Sequence, residues 1–304
     1  MKLLEKLEQV PTTAGKGGSR FLLHPGETVN PRHRWLQPLL LYSLVGLLLL
    51  VFLFPLGWML LISLKTGQGS QTVNLFQSFQ PSWENYRALW REVPVARYLL
   101  NTLIVSVGST LLSLILGIPA GYGLARQAGI WVNRLALAML GIHLFPPIAL
   151  LLPFYLMMRD LHLLDSYTGL ILLQSVFKIT FVAWFMRGFF VGMPQVLEEA
   201  ALVDGCSRWG AFWRVALPLS SPGVITVSLL GFIFSWNDFF SPLVLSGVRT
   251  RLLTLGILEA FSTYEVAWGR MSALGVIAVL PVLLLALVLQ RYYVRGLTAG
   301  AVRD

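Results

Sequence analysis

Charged residues are so unevenly placed along this chain that the gaps between them mark out its elements. Trp35–Leu64, Tyr98–Ala125 and Leu135–Met158 carry no charge. Ser166–Met186 is broken only by Lys178. Val215–Asn237 is followed by Asp238 and a further apolar run to Val248, and Met271–Gln290 is the last such stretch. Each is long enough to cross a bilayer core as a helix of about 20 residues. The runs lack the strict alternation of barrel strands, and backbone groups in lipid must pair within their own segment. The pattern therefore predicts an all-α, polytopic membrane protein with six transmembrane helices. The first stretch reads as a true span and not a cleaved leader: it is too long, a polar segment precedes it, and no small-residue cleavage site follows.

Composition agrees. Of 304 residues, 56% are hydrophobic and 12% charged, about half the charged fraction of an ordinary soluble chain. That excludes a soluble globular protein, and the apolar content excludes disorder. The net charge of +9 points to basic loop anchors beside membrane lipid, not to nucleic acid. Fourteen basic residues fall in the N-terminal segment, in the second-to-third and fourth-to-fifth connections and at the C-terminus, against eight in the other connections. This bias places both termini in the cytoplasm. Cys206 is the single cysteine, so no intramolecular disulfide or cysteine cage is expected. The four histidines lack metal-ligand spacing, and no nucleophile elbow is visible. Gly15-Lys16-Gly17-Gly18-Ser19 lacks the residue order of a phosphate loop and reads as linker.

The connection between the fourth and fifth stretches is unusually patterned. Pro194 suits a first helical position, and Glu198 and Glu199 favour the dipole of that end. Gly205 suits a left-handed C-terminal cap, Ser207 can cap a second helix, and Pro218 marks a break. Val196, Leu197, Ala200, Ala201 and Val203 make a broad apolar face of small and medium residues beside an edge of Glu198, Glu199 and Asp204. Asp204 stands where the dipole disfavours an acid, and Arg208 is its nearest cation. Helices lying on a membrane surface carry Lys and Arg on the polar face. This acidic edge suits a basic protein groove better.

Glu199-Ala200-Ala201, three residues, Gly205, nine residues, Val215, one residue, Leu217-Pro218 resembles the EAA motif of ABC importer permeases, with Val215 in place of the family's isoleucine as the one departure. Asn101–Ser106, Gly121–Arg126, Trp236-Asn237-Asp238-Phe239 and Arg291–Arg303 are similar to the carbohydrate branch, the maltose-type second permease. The resemblance spans Pro81 to Asp304. It implies a type I ABC importer permease fold, organised as an N-terminal cytoplasmic tail (1–37), a first span (38–64), an extracytoplasmic loop (65–97), a permease core of five spans (98–295) holding the coupling loop 192–218, and a C-terminal tail (296–304). It implies no ATPase site in this chain. ATP and Mg would be bound by two separate ATPase subunits, docked through Glu198, Glu199, Ala200, Ala201, Asp204, Gly205, Leu217 and Pro218. A second permease, giving a heterodimer, and an extracytoplasmic solute-binding protein complete the implied assembly, in a bacterial inner membrane.

Intramembrane polar residues point to a path. Asn237, Asp238 and Phe239 bring amide, carboxylate and aromatic groups together, the types that hold a sugar, and Tyr122 is a further candidate. Lys178 either snorkels, pairs with Asp238 or faces a cavity. Pro119, Pro146-Pro147 and Pro153 are expected to kink or break their helices, and Gly117, Gly121 and Gly123 to allow close helix contact. Trp83, Tyr86 and Trp90 of the first outer loop serve as interfacial anchors or as a docking surface. A secondary transporter driven by an ion gradient is the alternative, although it would show internal repeats and more embedded acids. A membrane-embedded enzyme would need a polar cluster that is not seen.

Overall fold

The computed structural model describes residues 33–65, 81–127, 129–259 and 267–298. The Gly15–Ser19 stretch and the rest of the tail through 32, residues 66–80 of the first outer loop, and the end of the C-terminal motif from 299 lie outside the described residues.

Among the described residues the chain is helical throughout: α1 His33–Ser63, α2 Glu84–Glu92, α3 Val95–Arg126, α4 Ile130–Ile142, α5 Pro147–Asp160, α6 Tyr167–Val191, α7 Val196–Val203, α8 Arg208–Ala211, a π-helical turn Phe212–Ala216, α9 Leu217–Leu219, α10 Ser221–Trp236, α11 Phe240–Leu245, α12 Leu253–Glu259 and α13 Trp268–Thr298. The described residues through Phe54 belong to one unit and those from Pro55 to another. In the first, residues 38–54 of α1 are almost wholly apolar and exposed on every side, as in a helix whose solvent is lipid.

The second unit is built on α3 and α6, which run parallel. Tyr167 reaches Asn101 (2.8 Å), Ser175 reaches the Ser109 carbonyl (3.2 Å), and Arg126 reaches the Phe190 carbonyl (2.7 Å). Glycine permits the approach. A Cβ on Gly121 would stand 2.6 Å from the Ala183 carbonyl oxygen, and one on Gly117 2.7 Å from Val182. Gly123, by contrast, faces open space. The antiparallel α10 packs on this pair, Gly223 under the Phe189 ring and Ser235 beside Ser109. Trp236 in turn donates to the Ala278 carbonyl of α13 (3.0 Å).

Because α3 and α6 point the same way, the chain between them must return from one end of the pair to the other. It does so through α4 and α5, the third stretch being broken at Pro146-Pro147. Pro146 is extended (φ −62, ψ 127) as the residue before a proline must be, and Pro147 starts α5 where its missing N–H costs nothing. Pro119 and Pro153 sit inside α3 and α5 and end neither. The fifth stretch is also broken, by a 76° bend between Leu219 and Ser221. Pro218 does not make that break; it lies in the first turn of α9, two residues before Ser220. The apolar run after Asp238 is the separate helix α11. The described residues thus hold four helices long and apolar enough to span a membrane, Pro38–Ser63, Val95–Arg126, Tyr167–Val191 and Trp268–Val288, and five when the bent pair is one span.

Polar clusters mark the two ends. Where α3 and α6 begin, Asp165 accepts from the Gly247, Arg249 and Thr250 amides (2.9–3.1 Å) and the Thr250 hydroxyl (2.7 Å). Burial works against the Asp165 charge, yet these bonds outweigh it and hold the carboxyl below its usual range. Asn101 donates to the Arg249 and Arg251 carbonyls. Close by in sequence, Tyr86 of α2 meets Ser63 (2.8 Å), while Trp83 and Trp90 stay exposed.

Candidate functional site

The helix carrying the expected docking residues is short and firmly bounded. α7 begins at Val196 after Gln195, two residues later than Pro194 suggested. Glu198 and Glu199 occupy its first turn, and Asp204 is its C-cap. Gly205 has φ +88, in the left-handed region that side chains avoid. Its amide bonds to the Leu202 carbonyl (3.1 Å) and the Cys206 amide to Ala201 (3.0 Å), the paired bonds of a Schellman ending. The Ser207 hydroxyl then accepts from the Gly210 amide (3.1 Å) and starts α8.

The two adjacent glutamates point opposite ways. Glu198 is 6% exposed. Its carboxylate accepts from the Tyr122 hydroxyl (2.7 Å) and takes a forked pair of bonds from the Arg126 guanidinium, which also donates to the Phe190 carbonyl. Burial would raise the Glu198 carboxyl, but the bonds from Arg126 and Tyr122 prevail and hold it below the ordinary glutamate value. The Tyr122 ring lies between Phe190 (5.3 Å) and Phe212 (4.9 Å), so the π-helical turn is anchored at the same point. This corrects two expectations with one cause. Glu198 is spent inside the chain, not offered outward, and Tyr122 belongs to this clasp and not to a path beside Asp238.

What α7 does offer is an inverted surface, its acid inside and its apolar residues outside. Val196 is 69% and Val203 88% exposed, and Leu197 and Leu202 are also open. Glu199, Ala200, Asp204 and Gly205 are exposed, with Ala201 half-buried. Among the described residues Asp204 forms no ion pair, so the expected contact with Arg208 is not made; the C-cap position leaves its carboxylate in solvent. Leu217 and Pro218 lie on the elbow, where with Ile118, Pro119, Phe212 and Trp213 they line an apolar cavity of about 510 Å³.

A second cavity, of about 460 Å³, opens between α4, α5, α6, α10 and α11. Its walls are aromatic: Phe154, Phe177, Phe181, Trp184, Phe234 and Phe240. Its polar end is formed by Gln174, Lys178, Ser235 and Asp238. These groups form one network with Ser109 of α3. Lys178 donates to the Ser109 hydroxyl, which lies 2.9 Å from the Ser235 hydroxyl; Ser235 donates to the Gln174 side-chain carbonyl, and the Gln174 amide donates to Asp238 (2.9 Å). The other Asp238 oxygen accepts from the Phe240 and Ser241 amides.

Of the residues expected on the path, only Asp238 lines this cavity. Asn237 turns its amide back to the Ile233 carbonyl (3.0 Å), and Phe239 packs edge-on against Phe240. Lys178 does face the cavity and forms no ion pair among the described residues. Gln174 and the phenylalanines of α6 escape sequence reasoning because an apolar run does not say which of its faces is hollow. Their spacing, Gln174, Phe177, Lys178, Phe181, is the signal, since i, i+3, i+4 and i+7 share one helix face.

Residues 116–299 match the family model described as binding-protein-dependent transport system inner membrane component. The chain is 34% identical over 261 residues to the sulfoquinovosyl glycerol transport system permease protein SmoH of Agrobacterium fabrum, covering 85% of this chain and 91% of that protein. It is 33% identical over 262 residues to the arabinooligosaccharides transport system permease protein AraQ of Bacillus subtilis, covering 84% and 92%. Its fold is similar to a chain in the crystal structure of a bacterial ABC transporter involved in the import of the acidic polysaccharide alginate, with a TM-score of 0.72 at 23% identity, over 88% of this chain and 100% of that one.

Proposed function

The chain belongs to the binding-protein-dependent transport system inner membrane components, the permease subunits of ABC transporters, and from that premise we propose that it carries a sugar, oligosaccharide or related polyol across the cytoplasmic membrane, driven by ATPase subunits that dock on α7. The observation that carries the docking is the inverted α7. A helix that buries its glutamate and exposes Val196, Leu197, Leu202 and Val203 is unfavourable in water. A partner that covers this apolar face and offers cations to Glu199 and Asp204 relieves both problems.

In this reading both termini are cytoplasmic, ATP and Mg sit on two partner ATPases, a second permease completes the membrane portion, and a solute-binding protein delivers substrate from outside. ATP-driven closure below displaces α7, and the clasp on Arg126 passes that displacement to α3. The saccharide assignment draws on the carbohydrate-transporting relatives and on the aromatic cavity with one polar end. Sugar rings pack their faces on aromatics, and their hydroxyls take directed hydrogen bonds.

The test is co-purification with candidate permease and ATPase partner subunits, followed by ATP hydrolysis stimulated by saccharide-loaded binding protein. Crosslinks from Ala200→Cys should reach the ATPase. Solute movement by the isolated chain, or crosslinks that never reach a nucleotide-hydrolysing subunit, would overturn the proposal.

A further inference from the structure

Lys178 is 5% exposed, lines the aromatic cavity and sits in the middle of a helix long and apolar enough to span a membrane. An ammonium so placed needs compensation, because a buried charge is costly unless paired and hydrogen-bonded. The chain supplies little. Of its three N–H groups, one goes to the Ser109 hydroxyl. Asp238 is the nearby counter-charge on the cavity wall, but its carboxylate already accepts from the Gln174 amide and from the amides of Phe240 and Ser241, and it forms no ion pair with Lys178. The polar end of the cavity therefore has its acid satisfied and its cation short of acceptors.

We infer that this cavity takes an acidic saccharide, one bearing a carboxylate or sulfonate, with the anionic group on Lys178 and the ring against Phe177, Phe181 and Trp184. An anionic oxygen accepts the two remaining N–H bonds and offsets the charge. A neutral hydroxyl does only the first, and an ammonium brings no acceptor for those bonds. Charge-assisted bonds of this kind in a low-dielectric site are about twice as strong as neutral ones, and the surrounding apolar walls reduce screening. The inference rests on the saccharide reading above and narrows its substrate class.

The probe is a pair of labelled disaccharides differing only at C6, a glucoside and its glucuronide. Each is measured by equilibrium binding to the purified membrane complex without its solute-binding protein, so that recognition outside does not enter. The glucuronide should bind at least about tenfold more tightly, Lys178→Met should abolish that preference, and Lys178→Arg should keep most of it. Equal or tighter binding of the glucoside, a preference that survives Lys178→Met in an assembled complex, or no binding of either sugar would overturn the inference. If Lys178→Met fails to assemble, the wild-type ratio and the arginine variant decide. Saccharide uptake by the complete importer is scored separately. If it proceeds while the binding preference is absent, only the inference falls; if no saccharide is taken up, the functional reading falls with it.

Discussion

Arg126, the last residue of α3, grips Glu198 in the first turn of α7 with a forked ion pair across 72 residues of sequence. Tyr122 and the Phe190 carbonyl complete the joint. The consequence is mechanical. α3 carries Ser109 of the cavity network near its middle and Asn101, bonded to the Arg249 and Arg251 carbonyls, near its start. If α7 is pushed by a docked partner, as proposed, Arg126 passes the push to α3, which reaches the cavity network through Ser109 and the far end of the bundle through Asn101.

Removing one partner of this joint leaves the other largely buried and unpaired. Arg126→Ala or Glu198→Ala should cost about 2 kcal/mol, less than a fully buried pair because both groups retain some water. Thermal unfolding of the detergent-solubilised complex measures it. Uptake should fall about tenfold or more while ATP hydrolysis persists, and the pair Arg126→Met with Glu198→Met should recover part of the lost stability.

Acid should loosen the same joint. The Glu198 carboxyl is held below its ordinary value despite burial, by its bonds to Arg126 and Tyr122, and Asp165 is held low by its bonds to Thr250, Arg249 and Gly247. A depressed native pKa means that the unfolded state binds the proton first. Stability is therefore full above the unfolded value of about 4.3 for Glu and 3.9 for Asp, and is lost as pH falls through the lower native values. Melting temperature should hold from pH 7 to about 5 and decline below about 4, with a shallower decline in Glu198→Gln.

Glu199 and Glu198 should behave as opposites. Glu199 is exposed and its side chain forms no ion pair among the described residues, so Glu199→Lys should leave the melting temperature within a degree or two of wild type (about 0.5 kcal/mol or less). It should nevertheless lower transport-coupled ATP hydrolysis severalfold. Wild-type coupling in the lysine variant would remove this edge of α7 from the docking surface.

The parallel packing of α3 and α6 depends on bare backbone at Gly121. Gly121→Val should destabilise by about 2 kcal/mol or more, since the obstructing atoms are the Ala183 carbonyl and the Arg187 amide, which have nowhere to move. Gly123→Ala, facing open space two residues on, should be neutral or slightly stabilising in the melting curve. Gly205→Ala has room for its Cβ but not the backbone angle, and should cost about 1 kcal/mol.

Much of the local structure was legible because it depends on neighbours in sequence. The left-handed glycine after α7, the serine cap before α8, the glutamates in the first turn and the break at Pro146-Pro147 are short-range consequences of backbone sterics and orphan amides. Pro194 and Pro218 each predict a boundary that falls two residues away. Asp204 and Arg208, four residues apart, form no ion pair among the described residues.

By itself the sequence determined that the chain lives in lipid, because apolar runs of that length have no other solvent, and that one polar connection is built as short capped helices. Only the tertiary structure decided which of two neighbouring glutamates faces in. A helix turns about 100° per residue, so Glu198 and Glu199 cannot share a direction, and it took the arrival of Arg126 from α3 to say which would be buried. The cavity was decided the same way. Gln174 and Lys178 share one face of α6, but Asp238 joins them only when α10 packs on α6, and no pattern along one chain records the space left between two.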